Sequence, residues 1–177
     1  MDELNEYFKS MFDKQFAIRD ELRAVERRTK TLDEHLRHSG NFKAYRKFKT
    51  KYEKLYAEYT TLKKATGFGA KGKAQKALDA ANEYYETHRN EITMYENAER
   101  YLRDVLQKHF DPKKLPPITK WQAERESLYA DLKRLNLDYM KLKDDTAKVE
   151  KIRSNVYDIL RSESRETQRT QTQFIDL

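Results

Sequence analysis

A row of residues spaced four and three apart opens the chain and constrains its fold more than any other feature: Leu4, Phe8, Met11, Gln15, Ile18, Leu22, Val25, Thr29, Leu32 and Leu36. All but Gln15 and Thr29 are apolar, and the residues between them are mostly Lys, Arg, Glu and Asp. A 3.5-residue period held over this length marks a coiled-coil seam. At about 1.5 Å per residue the helix is roughly 50 Å long. The spacing predicts that it ends at His38-Ser39-Gly40-Asn41, where Gly and Asn suit the left-handed cap conformation.

A second, aromatic seam follows through Phe42, Tyr45, Phe48, Tyr52, Leu55, Tyr59 and Leu62, and Gly67, Gly69 and Gly72 then call for a loop. Ala77, Ala81, Tyr84 and Tyr85 keep helical spacing after it, with Asn90 as an N-cap or kink, and Ile92, Tyr95, Tyr101, Leu102, Val105 and Leu106 continue it. Asp111-Pro112 and Leu115-Pro116-Pro117 stop that helix, because proline donates no backbone hydrogen bond and restricts the residue before it. The last helix opens on a capping box, Thr119-x-x-Gln122. Its seam is Leu128, Leu132, Leu135, Tyr139, Leu142, Thr146, Val149, Ile152, Val156 and Ile159, with a stammer between Val149 and Ile152.

The expected fold is all-α: an elongated antiparallel helical bundle or coiled coil of four to five helices. Residues 1–161 form one helical domain with breaks near 38–41, 67–72 and 110–118, and 162–177 form a polar, flexible tail. Composition agrees. Charged residues make up 38% of the 177, the apolar set 37%, and the mean hydropathy is −1.09, too polar for a thick core. No apolar run approaches the ~18 residues of a membrane span, and MDELNEYFKSMF is no signal peptide, so the expectation is a cytoplasmic chain with no membrane partner. The 12 Tyr, 8 Phe and single Trp set it apart from a solvated polar tail, and the absence of Cys excludes disulfides, thiolate metal sites and cysteine nucleophiles.

No catalytic constellation is visible. Gly67-Phe68-Gly69-Ala70-Lys71-Gly72-Lys73-Ala74 fits a phosphate loop except at Ala74, which replaces the magnesium-binding hydroxyl, and a Lys-rich helix stands where a buried strand is needed. His35 and His38 lie three apart with no third ligand nearby, and His88 and His109 stand alone. The reading is a non-enzyme with no cofactor and no metal site.

Charge is more informative. From Phe42 to Lys76 there are 11 basic residues and two acidic ones, a net of +9 in a chain whose total is +7. Lys43, Lys47, Lys51 and Lys54 follow i, i+4 and i+3 steps and form one stripe. Such a stripe is the footprint of a surface that meets a phosphate backbone. The candidate nucleic-acid-binding residues are Lys43, Arg46, Lys47, Lys51, Lys54, Lys63, Lys64, Lys71 and Lys73. The competing readings are an acidic protein partner and a solvated face paired to acidic residues of a neighbouring helix. Tyr45, Phe48 and Tyr52 can stack on bases, but their seam spacing makes them core first.

Three stretches together resemble the C-terminal helical region of relaxases from conjugative and mobilisable elements of Gram-positive bacteria: Tyr84-Tyr85-Glu86-Thr87-His88-Arg89-Asn90-Glu91-Ile92, Lys114-Leu115-Pro116-Pro117-Ile118, and Ala147-Lys148-Val149-Glu150-Lys151-Ile152-Arg153-Ser154-Asn155-Val156. The resemblance spans roughly Leu22 to Leu160. It implies a module from which the DNA-nicking nuclease domain, with its tyrosine and histidine-bound metal, is missing, so no catalytic residue carries over. The implied role is to assist transfer-origin DNA binding in conjugation or mobilisation, or to dock on transfer-machinery proteins. The alternative is a free-standing coiled-coil interaction protein whose basic helix binds an acidic partner.

Overall fold

The computed structural model describes residues 2–67 and 69–175, the side chains of 169–175 excepted. They form helices α1 (Asp2–Lys64), α2 (Ala70–Thr87), α3 (Arg89–Leu106) and α4 (Ile118–Ile175), with one 3-10 turn at Gln107–His109 and no strand among the described residues. The all-α bundle expected from the seams is what the chain forms. Its contacts divide it into two compact units, where the sequence suggested one domain: unit 1 takes residues 1–29 and 127–177, and unit 2 takes 30–126.

In unit 1 the first part of α1 lies antiparallel to α4. Asn5 Nδ2 donates to the Tyr157 hydroxyl at 3.1 Å, Arg153 lies 4.2 Å over the Phe8 ring, and Gln15 Nε2 donates to Thr146 Oγ1 at 2.5 Å. Partner numbers fall as α1 advances. Met11, Leu22, Thr29, Leu135 and Thr146 are buried on the seam, and the other seam positions of α1 are half-buried. The stammer is absent. Ile152 is 54% exposed, and the half-buried Arg153 takes the seam position, so the steps run 146, 149, 153, 156 without interruption. Its aliphatic stem covers apolar surface while the guanidinium rests on Phe8. Residues 162–175 of the expected tail are helical, since α4 continues to Ile175; positions 176 and 177 of that expected tail lie outside the described residues.

Unit 2 corrects the first break, because α1 runs through His38-Ser39-Gly40-Asn41 as helix. Leu32, Ser39 and Phe42 are fully buried, so the inward face passes through the small Ser39 and joins the two seams. An exposed Gly in a helix costs about 1 kcal/mol relative to Ala. Burying Leu or Phe is worth about 1.5–3 kcal/mol each, and tertiary packing wins.

α2 and α3 run antiparallel to this part of α1. They are interrupted by one residue, His88 (φ −118°, ψ 26°), whose N–H donates to the carbonyls of Tyr84 and Tyr85. The break thus falls two residues before Asn90. Register survives it: Tyr52 meets Tyr85 before the break and Phe42 meets Tyr95 after it, ten residues on along each partner. α3 ends before the prolines, at Gln107, which adopts a positive φ of 48°. The glycine break is likewise shorter than 67–72, since Lys71 and Gly72 are already in α2. Thr119 is no cap: α4 begins at Ile118, and the Pro117 carbonyl already accepts from Trp121 N–H.

Candidate nucleic-acid interface

α1 segregates its charges by azimuth. Phe42, Phe48, Tyr52 and Leu55 occupy the side packed on α2 and α3. Lys43, Arg46, Lys47, Lys51 and Lys54, with Thr50, line one shallow depression on another side. From Lys43 to Lys54 this face runs about 16 Å along the axis. The four lysines are exposed, and none forms an ion pair among the described residues. Along the helix Lys43–Lys47 and Lys47–Lys51 are like-charge i, i+4 neighbours and Lys51–Lys54 is i, i+3, while Glu58, four residues after Lys54, forms no ion pair with it. Each like-charge pair costs roughly 0.2–0.5 kcal/mol, which a merely solvated face does not require.

The remaining candidates separate. Arg46 is half-buried and donates to the Lys113 carbonyl at 3.3 Å, which ties the stripe to the turn after α3. Lys63 lies 5.7 Å over the Tyr59 ring, on the aromatic side. Lys64 is exposed at the end of α1, and Lys71 and Lys73 are exposed in the first turn of α2. The structure therefore gathers five of the nine.

Lys49, in the same segment but outside the stripe, shows what pairing looks like here. Its Nζ reaches Glu96 at 2.7 Å and Glu53 at 3.8 Å. Burial disfavours its charge, but the bond to Glu96 outweighs that and the pKa is raised. Pairing to a neighbouring helix removes this charge from the positive surface and leaves the stripe untouched.

The sequence did not show that an aromatic row borders the stripe. Phe48 packs on His88 with centroids 4.8 Å apart and Tyr84 on His88 at 4.5 Å, while Lys47 sits 4.9 Å over Phe48 and Lys51 4.8 Å over Tyr84. The i, i+4 spacing of Tyr84 and His88 was the available signal. Tyr45, Phe48 and Tyr52 are half-buried packing residues.

The glycine-rich segment follows helix α1, Gly69 takes φ 84° ahead of α2, and Ala74 is buried in α2. No group of three or more His, Cys, Asp or Glu among the described residues can hold a metal ion. None of the described helices is long and apolar enough to cross a membrane. Unit 2 holds 21 Lys and Arg against 14 Asp and Glu, a net of +7, and unit 1 holds 16 of each. No protein-family model matches the chain, and no curated protein or solved structure matches it.

Proposed function

We propose that the protein is a non-catalytic helical module that holds DNA by its phosphate backbone, through the α1 face carrying Lys43, Arg46, Lys47, Lys51 and Lys54. The observation that supports this most is the set of four exposed lysines that follow one another at i, i+4 and i, i+3 along one face and form no ion pair among the described residues. The role needs no metal and no cofactor. The sequence resemblance to relaxase C-terminal helices makes transfer-origin DNA the substrate and the transfer machinery a further docking partner, within the cytoplasm.

Phosphate contacts carry no base information, so binding is sequence-tolerant, with dissociation constants on the order of 10⁻⁴–10⁻⁶ M at physiological salt. Anisotropy titrations of the full chain with labelled single- and double-stranded DNA of unrelated sequences test this. The expected result is binding that tightens as salt is lowered and changes little with sequence. No binding at 50 mM salt would contradict the proposal and favour an acidic protein as the partner of the stripe.

A further inference from the structure

The two helices of unit 1 leave one side of their ribbon aromatic and uncovered. Phe8 and Phe12 pack edge to face with centroids 4.9 Å apart, and Arg19 lies 4.6 Å over the Phe16 ring. Phe12, Gln15, Phe16 and Arg19 of α1 and Tyr139 of α4 line one open cavity of about 110 Å³. Phe12 is 39% and Phe16 50% exposed.

Phe12, Phe16 and Arg19 each follow a seam residue of α1 by one position, so they form a row about 100° round the helix from the seam. A strict seam serves two helices, whereas a stripe widened on one side belongs to a helix in a larger bundle. The face is also short of an acceptor. Arg19 Nε is buried with no hydrogen-bond partner among the described residues, a state that native structures seldom leave unanswered.

Unit 1 has little core of its own. Among its described large apolar side chains Met11, Leu22 and Leu135 are buried, while unit 2 buries Leu32, Phe42, Ile92, Tyr95, Leu102 and Trp121. A layer with so small a core gains most from association.

We propose that a second copy of this chain covers the face, unit 1 against unit 1, so that the two pairs of helices close into a four-helix layer. Charge permits it: with 16 basic and 16 acidic residues, unit 1 meets its own copy without net repulsion. The area is sufficient. From Asn5 to Thr29 the ribbon runs about 36 Å and two helices span about 20 Å, a side of roughly 700 Å², close to the ~800 Å² per partner of a standard interface. The face is self-complementary as well. With the two α1 helices antiparallel about a two-fold axis at Phe12, Phe16 of each copy meets Phe8 of the other. The same axis sets Arg19 against Asn5, whose side-chain oxygen supplies an acceptor.

Sedimentation equilibrium of the full chain without DNA tests this. From about 1 μM to about 1 mM, the mass should rise from 21.3 kDa toward twice that value. Phe12→Glu combined with Phe16→Glu should weaken association more than about 100-fold, because each substitution enters the interface twice. Leu137→Glu, at a 55% exposed position outside the cavity, should associate like wild type. Should the double variant lose helix content, mixed labelled and unlabelled wild-type copies decide by intermolecular contacts between the Phe16 and Phe8 ring protons. A mass that stays at 21.3 kDa throughout would overturn the proposal and leave the face to a partner of different sequence. Association unchanged by the double variant, association lost equally in Leu137→Glu, or the absence of those ring contacts would overturn it too.

Discussion

Unit 1 and unit 2 each take part of α1 and part of α4, and they handle charge in opposite ways. Unit 1 has 16 basic and 16 acidic residues, and its ion pairs Asp20–Arg23, Asp131–Arg134, Asp145–Lys148 and Glu150–Arg153 are all i, i+3 contacts within a helix. It keeps a polar surface at zero net charge. Unit 2 carries the whole formal +7, and its stripe stacks lysine on lysine along α1. Solvation alone therefore does not explain the stripe, since the neighbouring unit is solvated without one. Packing differs too. Unit 1 follows a plain 4-3 seam with a Gln15–Thr146 polar step, whereas unit 2 is built on Phe42, Tyr95, Phe110, Trp121 and buried histidine.

The largest expected effect separates the two units by stability. Phe42 is fully buried between Tyr95 and Phe110, with centroids 5.0 and 6.1 Å away, so Phe42→Ala should cost about 3–5 kcal/mol. Calorimetry should show the loss in one transition and leave the other in place. Equal displacement of all the melting would mean the units do not fold separately. In unit 1, Thr146→Val removes the oxygen that Gln15 Nε2 bonds, leaving only the Leu142 carbonyl at 3.4 Å. The expected cost is about 1–3 kcal/mol, and Gln15→Leu added to it should recover most of that in a denaturant titration.

A pH arm concerns unit 2 alone. Burial, helped by Glu99, pushes the Tyr95 phenol up to about 12 from its usual 10.0. A raised folded value means the unfolded chain ionises first, so this stability is complete below pH 10 and lost as pH rises toward 12. Melting followed across that window should fall more steeply for wild type than for Tyr95→Phe. The smallest effect is at Thr119. As a cap it would be worth about 0.5–2 kcal/mol, but it lies inside α4, so Thr119→Ala should move the melt by no more than about 0.5 kcal/mol.

What the sequence made legible, and what it hid, follows from range. The seams of Leu4 to Leu36 and Leu128 to Val156 are local repeats, and a period of 3.5 residues admits one secondary structure. The stripe was legible for the same reason, since i, i+4 spacing sets Lys43, Lys47 and Lys51 on one face. The supposed break at Gly40 was misread because its penalty is local while the burial of Leu32 and Phe42 that overrides it depends on distant partners. Ile152 looked like a seam residue because apolar side chains usually are; only contact with Phe8 shows that Arg153 fills the place. Whether a lysine is paired is equally non-local. Lys49 finds Glu96, 47 residues away, a partner that no local spacing reveals.

The most direct test of the central claim is the slope of log binding constant against log salt for three forms of the chain on one DNA. The first is wild type, and the second is Lys43→Glu, Lys47→Glu, Lys51→Glu and Lys54→Glu combined. The third places the same charge reversal in unit 1, at the exposed Lys9, Lys14, Lys133 and Lys141. Each phosphate neutralised adds about 0.7–0.9 to the magnitude of the slope, so losing the stripe should flatten it by about 3. The unit 1 variant should keep a slope close to wild type. Equal slopes for wild type and the stripe variant, or equal flattening in both variants, would contradict the assignment of DNA binding to this face of α1.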